Sequence, residues 1–184
     1  MTFPIMLEPP PVVTQTAQTC WACAFESWSA ANARLFNTSN PYTAQQVIDL
    51  FARDPHLTYG HTARASAEGI MVLSALGIMD MRGYVSRRVH LDMLATALDS
   101  GYVYLVYFRV GHPAHAVVLY GVDAGNLYVM DPMPDAGLVA LPANHLLTLP
   151  HGRIVIGRPL LGDLIRSTSS AVASLSSALS GARR

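Results

Sequence analysis

Apolar positions in the first half of the chain follow a helical spacing. From Cys20 onwards they recur at steps of three and four residues. The positions concerned are Trp21, Ala24, Phe25, Trp28, Ala31 and Leu35. Residues 37–41 end this helix, and Thr43 followed by Gln46 predicts a capping box at the start of a second helix. Two further helices are predicted near residues 66–76 and 90–98, with a loop at 53–61.

The second half changes to a strand pattern. Aromatic and β-branched residues dominate 102–110, and apolar runs follow at 115–122 and 127–130, separated by the hairpin-type sequence of residues 123–126. Residues 138–141 and 153–156 predict two shorter strands, while residues 1–14 predict an extended, proline-rich lead-in. Helices followed by strands predict an α+β fold, with an antiparallel sheet packed on a helical half.

The chain of 184 residues divides into a folded domain at 1–158 and a tail at 159–184. Ser, Ala and Thr dominate residues 167–182, which is typical of disorder. An alternative is a docking or export helix, because apolar residues in this tail alternate steps of four and three. They are Leu161, Ile165, Val172, Leu175 and Leu179, with Thr168 in the same series.

Charge and hydropathy exclude several classes of protein. The formal net charge is zero and no basic run occurs, so nucleic acid is not an expected partner. No stretch of eighteen apolar residues predicts a membrane span, and residues 1–20 lack the pattern of a Sec signal. All twelve basic residues are Arg, which indicates a GC-rich genome or avoidance of lysine modification in a eukaryotic cytosol.

Cys20 lies at the predicted start of the first long helix. A free cysteine is often only a small buried apolar residue. At a helix N-terminus, however, the helix dipole favours a thiolate, and the first-turn N–H groups have no carbonyl partner within the helix. The Cys20 N–H and a side-chain amide from Gln15 or Gln18 could therefore bind a developing oxyanion.

His115 and Asp131 stand at the outer ends of the predicted hairpin. His115 begins the first strand and Asp131 ends the second, sixteen residues later by their numbers (131 − 115 = 16). Antiparallel pairing brings these ends together, so the two side chains are expected to hydrogen-bond. A base held by a third group is what a cysteine nucleophile requires.

The order Gln…Cys-Trp, then His-Ala-Val-Val-Leu-Tyr-Gly, then Asp resembles the papain-like cysteine proteases over residues 12–135. The resemblance is greatest to the small bacterial branch that includes bacteriocin leader peptidases and injected effector proteases. It implies a papain-like fold, with Cys20 as nucleophile, His115 as base and Asp131 orienting the base. It also implies Gln15 or Gln18 as oxyanion donor. Papain itself has its Gln six residues before the nucleophile, whereas Gln15 is five residues before Cys20.

The family resemblance implies a cysteine endopeptidase that needs no metal or cofactor. We expect a bacterial toxin or effector that leaves the cell by a dedicated secretion system and cleaves a protein in a target-cell cytosol; otherwise it is cytoplasmic. Its partners would be the protein substrate and a cognate immunity or inhibitor protein. Two alternatives remain open: an amidase or acyl transferase of the peptidoglycan amidase or transglutaminase type, and a catalytically silent binding module.

Cys20 and Cys23 also form a C-x-x-C pair, as in thiol–disulfide oxidoreductases. That fold requires an apolar strand just before the motif, where this chain has a proline run and a Gln/Thr-rich segment. Two cysteines cannot supply four thiol ligands for zinc. Cys23 is therefore expected to be a buried helix residue beneath the site.

Overall fold

The computed structural model of the protein describes residues 4–16, 19–37, 41–52, 79–84, 90–107, 115–144 and 154–159. The helices of these ranges are α1 (Cys20–Leu35), α2 (Ala44–Ala52) and α3 (Leu91–Leu98). The strands are β1 (Ile5–Met6), β2 (Met79–Tyr84), β3 (Val103–Tyr107), β4 (His115–Val122), β5 (Asn126–Asp131), β6 (Gly137–Pro142) and β7 (Ile154–Pro159). The loop predicted at 53–61, the helix predicted near 66–76 and the tail from residue 160 lie outside the described residues.

Helix α1 begins at Cys20, as predicted, and buries most of its apolar stripe. Phe25 is fully buried and Trp28 is 3% exposed, whereas Leu35 at the end of the helix is 46% exposed. The predicted stripe is therefore one position too long. The chain leaves the helix at Asn37, whose φ of 51° is a left-handed conformation that asparagine tolerates better than most residues.

Helix α2 begins with the predicted capping box. The Thr43 N–H donates to Gln46 Oε1 at 2.9 Å, and the Gln46 N–H donates to Thr43 Oγ1 at 3.2 Å. A carboxylate of α1 fixes the same turn, because the Ala44 N–H donates to Glu26 Oε2 at 2.6 Å. These bonds satisfy amides that a helix start leaves without intrahelical partners.

The described strands form one antiparallel sheet in the order β2-β7-β3-β4-β5-β6. Strand β4 is central. Strand β3 pairs with its first five residues, from Tyr107↔His115 to Val103↔Leu119. Strand β1 continues along that same edge of β4 with Met6 opposite Gly121. A helical part and an antiparallel sheet are thus both present, as the sequence pattern predicts.

Two strands were not predicted. Strand β1 lies in the lead-in that was expected to be only extended. Strand β2 lies between predicted helices, and its sequence, Met-Asp-Met-Arg-Gly-Tyr, carries two charges and a glycine that weaken a strand signal. Strand β2 is nevertheless paired along its whole length with β7, from Met79↔Pro159 to Tyr84↔Ile154. Long-range pairing therefore overrides local propensity here.

The helices cover both faces of the sheet. One buried cluster joins α1 to one face, and it includes Phe25, Trp28, Ala31, Tyr104, Val118 and Met130. A second cluster joins α3 to the opposite face, and it includes Leu94, Leu98, Leu105, Val117, Leu119 and Val129. The predicted antiparallel sheet with helices packed on it is therefore present, with α1 on one face and α3 on the other.

A buried amide anchors α1 to the first residue before β3. Asn32 is 2% exposed, and its Oδ1 accepts a hydrogen bond from the Tyr102 N–H at 3.0 Å. Its Nδ2 donates to the Trp28 carbonyl at 3.0 Å and, more weakly, to the Tyr102 carbonyl at 3.4 Å. The Trp28 indole N–H donates to the same Tyr102 carbonyl at 2.8 Å. This network fixes the height of α1 above the sheet.

We predict that Asn32→Ala lowers the free energy of unfolding by about 2–3 kcal/mol, because a buried backbone N–H loses its acceptor. Urea denaturation measures this change. The control is Gln45→Ala, since Gln45 is exposed and bonds only to Asp49 one turn along α2 in the described structure. Its effect should stay within about 0.5 kcal/mol. Equal effects of the two substitutions would contradict the anchoring role.

Candidate active site

Cys20 is the first residue of α1 and is 8% exposed. The backbone of its neighbour Trp21 is bonded to the sheet, because the Tyr104 hydroxyl on β3 donates to the Trp21 carbonyl at 2.8 Å. The N-cap residue Thr19 makes no side-chain capping bond and instead places its Oγ1 3.7 Å from the Cys23 sulfur. The sulfur of Cys20 thus lies at a helix N-terminus that is fixed to the sheet.

His115 is the first residue of β4 and contacts both other residues of the expected triad. Its Nε2 lies 2.8 Å from Asp131 Oδ1, and the two side chains are 17% and 13% exposed. The Cys20 side chain lies near the same ring, since it is one of the groups that raise the pKa of His115. Because Nε2 faces the carboxylate, Nδ1 is the nitrogen left to face the sulfur. The structure therefore brings Cys20, His115 and Asp131 together.

A β-bulge at Tyr120 determines which face of the sheet Asp131 occupies. The β4–β5 pairing shifts by one residue around Tyr120. Continued to the end of β5, the shifted register sets Asp131 opposite Val117, and so makes it a diagonal neighbour of His115 on the same face. Without the extra residue, Asp131 would lie opposite Val118 and point to the other face. The prediction that both residues lie at the same end of the hairpin is right. The bulge is what places their side chains on the same face of the sheet.

The Asp131 carboxylate has a second partner in the turn that follows it. The Met133 N–H donates to Asp131 Oδ1 at 2.9 Å. The same turn is bonded to the N-terminal lead-in, because the Gln15 N–H donates to the Pro132 carbonyl at 2.8 Å. The turn at 131–133 therefore holds the carboxylate in place and positions Gln15 beside it.

Electrostatics favour a charged His115–Asp131 pair. Burial disfavours the imidazolium, but hydrogen bonds to Asp131 and Cys20, together with their negative charge, outweigh it and raise the pKa of His115 to about 9. Burial likewise disfavours the Asp131 carboxylate, yet its bonds with His115 and the Met133 N–H lower its pKa below the ordinary value. An imidazolium next to a thiol is the arrangement that stabilises a thiolate.

The Gln15 side chain lies against the same turn. Its Nε2 donates to the Met133 sulfur at 3.0 Å, and its Oε1 is buried without a hydrogen-bond partner in the described structure. The alternative oxyanion donor Gln18 lies outside the described residues. The role of Gln15 as oxyanion donor stays a prediction.

Cys23 lies one turn further along α1, buried as expected. Burial is the main cause that raises the pKa of its thiol, against a lowering hydrogen bond from Thr19. A redox-active C-x-x-C motif needs an acidic attacking thiol and a strand before it. Residues 11–16 and 19, which lead into α1, contain no strand. Cys23 is thus placed as a structural residue.

Two residues at the site gave no sequence signal. The Tyr107 ring packs edge-on against His115, with centroids 5.5 Å apart and planes at 84°. Tyr107 was predicted only as part of an apolar strand, and its place opposite His115 follows from the β3–β4 register. Met133 follows an Asp-Pro pair that looks like an ordinary turn. Tyr107 and Met133 can be recognised as residues of the site only once the pairing of the strands is known.

No group of three His, Cys, Asp or Glu side chains is placed to bind a metal ion in the part of the chain that the structure describes. None of the helices in the described ranges combines the length and hydropathy needed to cross a bilayer.

Comparison with known proteins identifies the fold. No protein-family model matches the sequence, and no curated protein matches it significantly. The peptidase domain of Streptococcus ComA, a bifunctional ABC transporter involved in a quorum-sensing pathway, matches with a TM-score of 0.53 at 18% identity, covering 81% of this chain and 98% of that domain. A protein assigned as a C39-like peptidase from Bacillus anthracis matches with a TM-score of 0.58 at 10% identity, covering 86% and 99%. The predicted α+β, papain-like fold, with helices packed on a curled antiparallel sheet, is thus confirmed.

Proposed function

We propose that this protein is a cysteine peptidase in which Cys20 is the nucleophile, His115 the general base and Asp131 the residue that orients the base. The observation that carries the proposal is the position of the His115 ring, which lies 2.8 Å from Asp131 Oδ1 through its Nε2 and near the Cys20 side chain at the start of α1. Its fold, which matches C39-type peptidase domains, supports the same conclusion.

The geometry gives each group a step. His115 takes the Cys20 proton, and the resulting thiolate attacks the carbonyl carbon of a peptide bond. The Cys20 N–H at the start of α1 and the Gln15 amide bind the oxygen as it becomes negative. The His115 imidazolium then protonates the departing amine as the C–N bond breaks. Water, deprotonated by the same ring, attacks the thioester and releases the second product with regeneration of the thiol.

The test has two parts. An epoxysuccinyl inhibitor directed at thiol peptidases should label Cys20, and mass spectrometry of the modified peptide should leave Cys23 unlabelled. Incubation with a bacterial and a human lysate, followed by isolation of new protein N-termini, should give cleavage products that the Cys20→Ala protein does not produce. Labelling without new N-termini, but with hydrolysis of cell-wall fragments, would indicate an amidase instead.

Activity should decline as pH rises through about 9, because the residues around His115 raise its pKa to about 9. Above it the ring loses the proton that the leaving amine needs. In Asp131→Asn the negative charge behind the ring is gone, so the pKa of His115 falls and the alkaline limb moves to lower pH. The pH dependence of kcat/KM for a cleaved peptide measures both. If the alkaline limb of the pH profile were unchanged in Asp131→Asn, Asp131 would not be the residue that sets the pKa of His115.

We further propose that the substrate is a protein of a target cell, reached through a dedicated secretion system, and that a cognate immunity protein blocks the site. The lysine-free composition supports a destination in which lysine modification matters, and the Ser/Ala-rich stretch at 167–182 supports an export segment. Induced expression in bacterial and yeast cytosol should arrest growth in one of them, but not with Cys20→Ala. Co-expression of the adjacent gene should restore growth. No growth arrest in either host would contradict this role.

A further inference from the structure

Met133 contacts both sides of the proposed active site. Its backbone N–H donates to Asp131 Oδ1 at 2.9 Å, and its side-chain sulfur accepts a hydrogen bond from Gln15 Nε2 at 3.0 Å. A backbone bond from the Gln15 N–H to the Pro132 carbonyl at 2.8 Å runs beside this contact. One turn thus connects the residue that orients the base with the side-chain amide expected at the oxyanion.

Burial does not explain the Met133 side chain, because Met133 is 46% exposed. The chemistry of its sulfur offers a reason for a methionine at this position. A thioether is a weak acceptor, so it directs the amide N–H without competing strongly for it. A carbonyl or carboxylate oxygen at that position would hold the amide in the ground state. The other end of the amide is not fixed either, since Gln15 Oε1 is buried without a partner in the described residues.

We propose that Met133 is a positioning residue: its sulfur holds the Gln15 side-chain amide ready and releases it to the oxyanion that forms on acylation of Cys20. This inference rests on the proposed cysteine-peptidase function. It predicts that Met133 affects only those steps in which negative charge develops on oxygen. It also predicts that the effect of Met133 passes entirely through Gln15.

The test uses the p-nitrophenyl ester of N-protected glycine, which acylates a reactive thiol without a specific cleavage sequence. Met133→Leu keeps the volume and removes the acceptor. We expect the single-turnover release of p-nitrophenolate at saturating ester to fall about tenfold, less than the roughly 10²–10³-fold effect of removing an oxyanion donor. The ester concentration at half-saturation should change less than about twofold, since ground-state binding is not involved. The matched control is Met6→Leu, a methionine of similar exposure (48%) that pairs with Gly121 at the opposite end of β4 from His115, and its rate should not change.

Two further measurements separate positioning from a structural role. Alkylation of Cys20 by iodoacetamide forms no oxyanion, so its rate should be equal in Met133→Leu and the natural protein. The double variant Gln15→Ala/Met133→Leu should acylate as slowly as Gln15→Ala alone, because the second change has nothing left to position. Additive losses, or a parallel loss of alkylation, would overturn the inference.

A measurement without turnover keeps this inference distinct from the proposed function. In ¹⁵N-edited NMR spectra, the side-chain NH₂ resonances of Gln15 should shift in Met133→Leu and stay in place in Met6→Leu. If the natural protein does not react with the ester while these resonances shift, the peptidase proposal fails and the contact is real. If the ester reacts and the resonances do not shift, the peptidase stands and the role of Met133 is wrong.

Discussion

Replacing Cys20 by alanine is expected to reduce peptide-bond hydrolysis to the uncatalysed background while leaving the fold intact. The Cys20 sulfur lies at the N-terminus of α1 near His115, where it can form the covalent intermediate with His115 as its base. Loss of a nucleophile in a hydrolase triad is commonly of the order of a million-fold. The measurement is the rate of appearance of new N-termini in a lysate, together with the melting temperature of the variant.

The matched control for this substitution is Cys23→Ala, in which the same side chain is removed one turn along the same helix. Both cysteines are buried, at 8% and 5% exposure. Because burial raises the pKa of the Cys23 thiol, it is poorly suited to be a nucleophile. We expect full activity and a stability loss of about 1 kcal/mol. If Cys23→Ala were inactive and Cys20→Ala active, the nucleophile would have been assigned to the wrong cysteine.

Substitutions of His115 and Asp131 should form a graded series. His115→Ala should lose about 10²–10⁴-fold or more in kcat, since general-base assistance is commonly of that size. Asp131→Asn keeps an oxygen that can accept from Nε2 at the observed 2.8 Å, so partial activity should remain. Asp131→Ala should lose considerably more, because the ring and the Met133 N–H both lose their acceptor.

The kinetics of this series should be read with a control at the other end of the hairpin. Asp123 accepts hydrogen bonds from the Tyr128 hydroxyl and from the Gly125 and Asn126 backbone N–H groups, which lower its pKa to about 2. Asp123→Ala should therefore affect the turn and its stability but not the pH profile. A pH profile altered as much as in Asp131→Asn would mean that hairpin stability, and not ring orientation, explains the Asp131 effects.

Local patterns were sufficient for the elements that carry the site. The spacing after Cys20 gave the start of α1, and the Thr43–Gln46 pair gave the start of α2 with its capping bonds. The ends of the hairpin at His115 and Asp131 followed from alternation and one turn signal. These features depend on neighbours within a few residues, which a sequence displays directly.

The features that were missed depend on pairing between distant segments. Nothing near Tyr120 in the sequence marks a bulge, yet the bulge decides whether Asp131 shares a face with His115. Strand β2 is defined by its partner β7, about 75 residues later. Met133 acquires its two contacts only when residues 12–15 lie beside the turn after β5. In each case tertiary context supplies information that local propensity lacks.

The position of β7 has a consequence for when the proposed active site forms during synthesis of the chain. Residues 154–159 are the last described strand in the chain, but they lie inside the sheet, between β2 and β3. A nascent chain that has reached residue 131 already contains every residue of the proposed triad, yet β3, which supports His115, still lacks a neighbour on one side. Folding that waits for such long-range pairing is late and slow. We therefore expect ribosome-bound chains that stop before residue 154 to be inactive, so that the producing cell is protected from the proposed peptidase activity until β7 has been synthesised.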